Sequence, residues 1–185
     1  MNEVLLKNFA NLGRELGSEM TENFLVPHVV AALNDNRSKL TSLREIEKLI
    51  DLTSEKTING LLKPVLEKCM FDSDELNVFQ SVKNLNKIMK LKKLDLRDPS
   101  FITNSLLPLA IHPNAWIREQ VLELICGSIE QSDPAALYIK INPYLLKYVR
   151  DSELELMNAE LFRLEVVDPI SRRVYEEVKK GTYNS

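Results

Sequence analysis

The chain has 185 residues, 44% apolar, 28% charged and 6% aromatic, with a formal charge of −3, so it is neither a disordered polyelectrolyte nor a membrane span and is too short for a large multidomain enzyme. Five glycines and two histidines leave little material for phosphate-cradling loops, metal clusters or histidine-dependent catalysis, and no cofactor is expected. The mildly acidic balance gives no basic footprint for nucleic acid.

The first residues, MNEVLLKNFANLGREL, interleave charges with an apolar stripe of Leu5, Phe9, Leu12 and Leu16. They predict an amphipathic helix, not a signal peptide or anchor. With no helix before it, this element resembles the second helix of a preceding repeat, as if the chain were cut from a longer array.

Prolines mark the rest of the frame. Asp98-Pro99, Asp133-Pro134 and Asp168-Pro169 are evenly spaced. Each reads as a helix start, because Asp accepts a bond from a free backbone N–H and Pro at the next position loses no partner. Ten residues after the first two caps stand Pro108 and Pro143, and Pro27 and Pro64 stand ten residues after Gly17 and Ser54. In this frame the position eight after the cap is Leu25, Leu62, Leu106 and Ile141, and the position twelve after it is Val29, Leu66, Ala110 and Leu145. The position four after the cap is Thr21, Ile58, Ile102 and Leu137, which completes one helical face. A proline inside a helix costs about 3 kcal/mol, so four matched ones predict a shared kink.

A second helix follows each turn, with apolar stripes of Leu40, Leu43, Ile46 and Ile50, then Val78, Val82, Leu85 and Met89. The later pairs carry Ile117, Val121, Leu124, Ile125 and Ser128, then Leu154, Met157, Leu161 and Leu164. A unit of kinked helix, turn and antiparallel helix that recurs this way is the pattern of a HEAT-type α-solenoid. The expectation is an all-α single segment over 1–181, with repeats at about 17–53, 54–95, 98–131 and 133–167. An orphan N-terminal helix precedes them, and a last helix over 168–180 carries Ile170, Val174 and Val178 and is closed by Gly181. A frayed tail occupies 182–185.

Polar residues that stand out have structural readings. His28 and His112 are expected to be a partly buried histidine and a turn residue capping helix carbonyls, because no nucleophile or acid partners either. Cys69 and Cys126 lack metal-knuckle spacing and are expected to be reduced, buried and intracellular. Lys83, Lys87, Lys90, Lys92, Lys93 and Arg97 form a basic run read as a solvated face, with contact to an acidic partner or an anionic membrane surface as the alternative, while Glu153, Glu155 and Glu160 read as surface carboxylates. Trp116, the lone tryptophan, is expected to pack in the core or between repeats, and Arg118 to pair with a neighbouring repeat's turn.

Two stretches are more specific. Leu107 to Arg118, centred on His112-Pro113-Asn114-Ala115-Trp116-Ile117-Arg118, resembles the HEAT turn of the regulatory, pseudokinase-containing subunit of class III phosphatidylinositol 3-kinase. The run Asp168-Pro169-Ile170-Ser171-Arg172-Arg173-Val174-Tyr175 is similar to the segment that closes that subunit's HEAT region, and Ile141-Asn142-Pro143-Tyr144-Leu145 resembles its short proline-containing helix. The likeness extends from about Phe24 to Val178. It implies a non-catalytic scaffold whose motif residues, among them Pro169, Ser171, Arg172 and Tyr175, are structural or face partners. Implied partners are the lipid kinase catalytic subunit and coiled-coil autophagy or endosomal subunits. The implied location is cytoplasmic, peripheral on endosomal or autophagic membranes through the complex. An unrelated HEAT scaffold of phosphatase or transport-receptor type is the alternative.

Overall fold

Four prolines impose one backbone geometry four times. A computed structural model describes residues 6, 8–151 and 158–179. In it the kinked helices contain π-helical turns at Thr21–Leu25, Ile58–Leu62, Phe101–Leu106 and Leu137–Ile141. At each turn the residue just before the proline donates its N–H to the carbonyl five residues back: Val26 to Thr21, Lys63 to Ile58, Leu107 to Ile102 and Asn142 to Leu137. In an ordinary α-helix proline lacks a donor and drives its ring against the carbonyl four residues earlier. The extra residue of a π turn opens the ladder at that point, so the helix bends and continues. The shared kink expected from Pro27, Pro64, Pro108 and Pro143 is thus a π turn in register.

The chain divides into two compact units, 1–95 and 96–185, between the second and third expected repeats. The first unit contains α1 (Phe9–Met20), α2 (Val26–Ala32), α3 (Lys39–Leu49), α4 (Glu55–Thr57), α5 (Lys63–Cys69) and α6 (Glu75–Lys90). Within it α1 and α2 pack on α3, and α6 packs on both α3 and α5. The second unit contains α7 (Leu107–Ala110), α8 (Ala115–Gln131), α9 (Pro134–Ala136), α10 (Asn142–Leu145), α11 (Ala159–Glu165) and α12 (Arg172–Lys179), with α7 and α11 both packed on α8. The fold is all-α and of HEAT type; among the described residues the extended pairing is an isolated antiparallel bridge between Val149 and Val166.

Burial follows the repeat frame. The positions eight and twelve after the caps are buried in all four repeats, and so are Thr21, Ile58 and Ile102 at position four. The second-helix stripes are buried as well, through Leu43 and Ile46 of α3 and Val82 and Leu85 of α6 in the first unit, and through Val121 and Leu124 of α8 in the second. Caps agree too: Ser54 accepts the Thr57 N–H, Asp98 the Ser100 N–H and Asp133 the Ala136 N–H.

Inter-repeat ties in the first unit are polar and specific. Glu22 receives the Ser54 N–H and hydroxyl, each at 2.7 Å, and the Thr57 hydroxyl. Burial alone would raise the Glu22 carboxyl, but the Thr57 and Ser54 donors and the Lys93 charge outweigh it and hold it below the ordinary carboxylate range. Lys39 meets Asp72 at 2.7 Å. There too burial is outweighed, by the Lys39, Asp74 and Asn77 donors, and the carboxyl is held low. Asn84, fully buried, donates to the Leu43 carbonyl at 2.8 Å, which fixes the register of α6 on α3.

Several expectations are corrected. The orphan helix turns inward through Leu6, Phe9, Ala10 and Gly13, whereas Leu16 is exposed. The reason is Gly17, whose φ of 83° and ψ of 174° break α1 in a region open almost solely to glycine. His28 lies exposed on the outer face of α2. In α11 the buried residue is Phe162 and Leu164 is 63% exposed. Asn158 caps this helix by accepting the Leu161 N–H at 2.9 Å, so a stripe counted from an earlier helix start comes out of phase. Asp168 does not cap the last helix; it pairs with Arg150 at 2.8 Å, and α12 begins after Ser171, which accepts the Val174 N–H. Leu5, Leu154, Met157, Glu153, Glu155, Gly181 and the tail lie outside the described residues.

Gly13 permits a close approach. A Cβ there would lie 2.9 Å from the Thr21 hydroxyl, 3.1 Å from Leu52 and 3.2 Å from Leu49, and Thr21 is itself held by its bond to the Gly17 carbonyl at 2.8 Å. Gly13→Ala is therefore expected to destabilise the chain by about 1 to 2 kcal/mol through overpacking, even though alanine favours a helix interior by about 1 kcal/mol. Urea denaturation checks this, and an unchanged or raised midpoint would show that the leucines yield.

Candidate functional site

The two sequence motifs, far apart in the chain, meet in the second unit. The turn between α7 and α8 begins where the His112 N–H reaches the Leu109 carbonyl at 3.1 Å. His112 is buried, and its Nδ1 accepts the Asn114 N–H at 3.0 Å. Asn114 in turn caps α8 by accepting the Trp116 N–H at 3.1 Å. Arg118 reaches back from the first turn of α8, its Nη1 donating to the carbonyls of His112 at 2.7 Å and Pro113 at 2.9 Å. Arg118 thus supplies donors to carbonyls at a turn where proline has none to give, while His112 and Asn114 accept the free N–H groups.

The closing motif covers this turn. After α11 the chain runs extended: Arg150 donates its N–H to the Glu165 carbonyl, Val167 to Tyr148, and Ile170 to Ile111 at 3.0 Å. That last bond brings Pro169 and Ser171 beside the histidine turn. From α12, Tyr175 sets its ring on that of His112, with centroids 4.5 Å apart and planes at 66°, an edge-on arrangement. Arg173 pairs with Glu177 along the exposed side of α12 at 2.9 Å. Ile117 is fully buried beneath the turn, while Pro169, Ser171 and Arg172 lie on the surface.

Two readings of this region are corrected. Trp116 is 53% exposed, not packed in the core. Asn114 starts the helix at Ala115, and the inward stripe runs through Ile117, Val121 and Leu124, so Trp116 falls one position outside it. Arg118 holds the turn of its own repeat instead of a neighbouring one. The stripe that excludes Trp116 was visible in the sequence, whereas the pairing of Arg150 with Asp168 had no signal there.

The polar side chains at this turn are spent on backbone hydrogen bonds. His112 Nδ1 is occupied by a backbone donor, and among the described residues no group of three His, Cys, Asp or Glu side chains could hold a metal ion. Cys69 and Cys126 are free and buried, and burial pushes both thiols up, which keeps them protonated and unreactive. No helix among the described residues is long and apolar enough to cross a membrane. The basic run is largely engaged: Lys87 bonds Asp51 and the Glu47 carbonyl, Lys83 bonds Glu47, and Lys93 bonds the Thr53 carbonyl.

Residues 1–179 match the family described as PIK3R4-like, middle domain. The chain is 29% identical over 184 residues to a Candida glabrata protein named non-specific serine/threonine protein kinase. It is 23% identical over 195 residues to the probable serine/threonine-protein kinase vps15 of Dictyostelium discoideum. These alignments cover 98% and 97% of this chain but only 13% and 10% of those relatives, so the chain spans about a tenth of their length. The match sets aside an unrelated HEAT scaffold.

Proposed function

Because the chain belongs to the family of PIK3R4-like middle domains, we propose that it is a non-catalytic scaffold segment of a class III phosphatidylinositol 3-kinase regulatory subunit. It presents protein-binding surfaces to the lipid kinase catalytic subunit and to coiled-coil autophagy or endosomal subunits. Membrane association is peripheral and comes through that complex. The kinase activity in the relatives' names belongs to parts of those proteins beyond the matched segment.

The observation that supports this reading best is the junction of the two motifs. His112, Asn114 and Arg118 spend their bonds on building a turn, Tyr175 covers it, and the product is a fixed platform from which a large aromatic projects. A half-exposed tryptophan on rigid backbone is the residue type that anchors protein interfaces.

The test is recovery of partners from the source cell with the full-length protein carrying Trp116→Ala. Stability is expected to change by no more than about 0.5 kcal/mol, as for an exposed site. Recovery of the lipid kinase should fall in line with a hot-spot loss of about 2 kcal/mol or more. Undiminished recovery would remove Trp116 from the interface, and capture of a phosphatase or transport complex in its place would refute the scaffold assignment.

A further inference from the structure

A second surface, in the first unit, carries a charge pattern that its own residues leave unbalanced. Helices α1, α3 and α6 line a polar cleft of about 720 Å3. Its three carboxylates are committed internally. Glu45, buried in the wall, accepts the Ala10 N–H at 3.3 Å and the Lys48 ammonium at 2.5 Å. Glu47 takes the Gln80 amide at 2.7 Å and Lys83 at 3.0 Å. Asp51 takes Lys87 at 2.6 Å.

Three lysines are thereby neutralised by three carboxylates, and two guanidiniums remain. Arg14 and Arg44 are both exposed and both line the cleft. Arg14 bonds the neutral Asn11 amide oxygen at 3.0 Å, and neither arginine has a carboxylate partner among the described residues. In a chain whose formal charge is −3, this is a local excess of positive charge on a concave wall, framed by hydrogen-bonding side chains.

The kind of anion follows from the same residues. A nucleic acid would run a closely spaced row of phosphates through the cleft and past the Glu47 and Asp51 side chains, which are 27% and 55% exposed. Those carboxylates would repel it at intervals. Sparse carboxylates on a protein segment can reach the arginines and leave Glu47 and Asp51 facing neutral side chains, and the planar guanidinium accepts a carboxylate in a two-bonded fork. We propose that this cleft docks an acidic segment of a protein partner, with its carboxylates received by Arg14 and Arg44. The proposal rests on the scaffold reading for its class of partner, but on different residues from the Trp116 platform.

The test titrates the full chain with a labelled alanine-based helical peptide bearing glutamate at every fourth position, so that the charges share one face. Its glutamine counterpart and a labelled oligothymidylate serve as comparisons, and binding is read by fluorescence anisotropy. The glutamate peptide is expected to bind at least about tenfold more tightly than the glutamine peptide, with an advantage that shrinks as salt rises. The double variant Arg14→Gln, Arg44→Gln should lose about the same factor at an unchanged melting temperature, while Trp116→Ala should bind the peptide normally. Equal affinity of parent and double variant for the glutamate peptide would overturn the proposal, as would tighter binding of oligothymidylate. If Trp116→Ala abolished peptide binding, the peptide would be docking at the platform and the cleft assignment would be wrong. Loss of kinase recovery by Trp116→Ala alongside intact peptide binding keeps both readings.

Discussion

Phe162→Ala is expected to destabilise the second unit by about 3 to 5 kcal/mol, the range for truncating a fully buried aromatic. Phe162 has no solvent exposure and lies in α11, a helix of seven residues packed on α8. A helix that short has no stability of its own in water, so it holds only through what it buries. Around it the fixed points are few: the Asn158 cap, the bond from the Cys126 thiol to the Ala159 carbonyl at 3.3 Å, and the Arg150 N–H on the Glu165 carbonyl at 2.8 Å. Removing the ring leaves a cavity over α8 that such bonds cannot close. The consequence extends further, because α11 feeds directly into the extended run whose Ile170 N–H ends on Ile111. Urea denaturation of the whole chain gives the magnitude, and amide exchange at Ile170 should accelerate in parallel. A loss below about 1 kcal/mol would mean that α11 contributes little and that the closing motif docks without it.

The repeat frame was legible because two independent codes agreed. Proline spacing and the four-residue apolar step pointed to the same cap positions, and burial at Leu25, Leu62, Leu106 and Ile141 follows that count. What the spacing could not supply was the nature of the kink. A π turn depends on a bond from the residue before the proline to one five positions back, and that residue varies freely in type: Val26, Lys63, Leu107 and Asn142. The errors arose where a cap shifts phase. Asn158 restarts a helix, so a stripe that crosses it puts Leu164 inside when it is exposed, and Leu16 stands at the very end of its stripe, where the helix breaks at Gly17, and is exposed too. Asp168 misled for a related reason, since an Asp-Pro pair suits an N-cap but equally suits an extended segment whose carboxylate is claimed by Arg150.

Polar ties between repeats were also beyond the sequence. Glu22, Asn84 and Lys39 look like surface residues in any helical projection, yet each bonds a partner more than thirty positions away. Polar ties of this kind, with Asn84 fully buried among them, specify one register, which an apolar face alone leaves loose. They also explain why the basic run is not a free patch: Lys83, Lys87 and Lys93 are consumed in fastening α6 and its following loop to α3 and the turn after it.

The motif junction makes the sharpest demand on a single side chain. His112→Ala removes two things at once: the acceptor for the Asn114 N–H and the ring against Tyr175. An unsatisfied buried donor costs about 1 to 3 kcal/mol, and an edge-on aromatic pair contributes about 0.5 to 1.5 kcal/mol beyond its area. The expected loss is therefore about 2 to 4 kcal/mol. His112→Asn separates the two contributions, because the asparagine Oδ1 stands where the histidine Nδ1 does and can accept the same N–H two residues on. It should retain the turn and lose only the ring contact, about 1 kcal/mol. A double-mutant cycle with Tyr175→Ala then isolates the coupling, which should be present with His112 and absent with the asparagine. Chemical denaturation measures the four chains of the cycle and His112→Ala beside them. If His112→Asn proves as damaging as His112→Ala, the backbone bond is not what His112 supplies. If the cycle shows no coupling, Tyr175 lies against the turn without holding it, and the two motifs come together for some reason other than this ring pair.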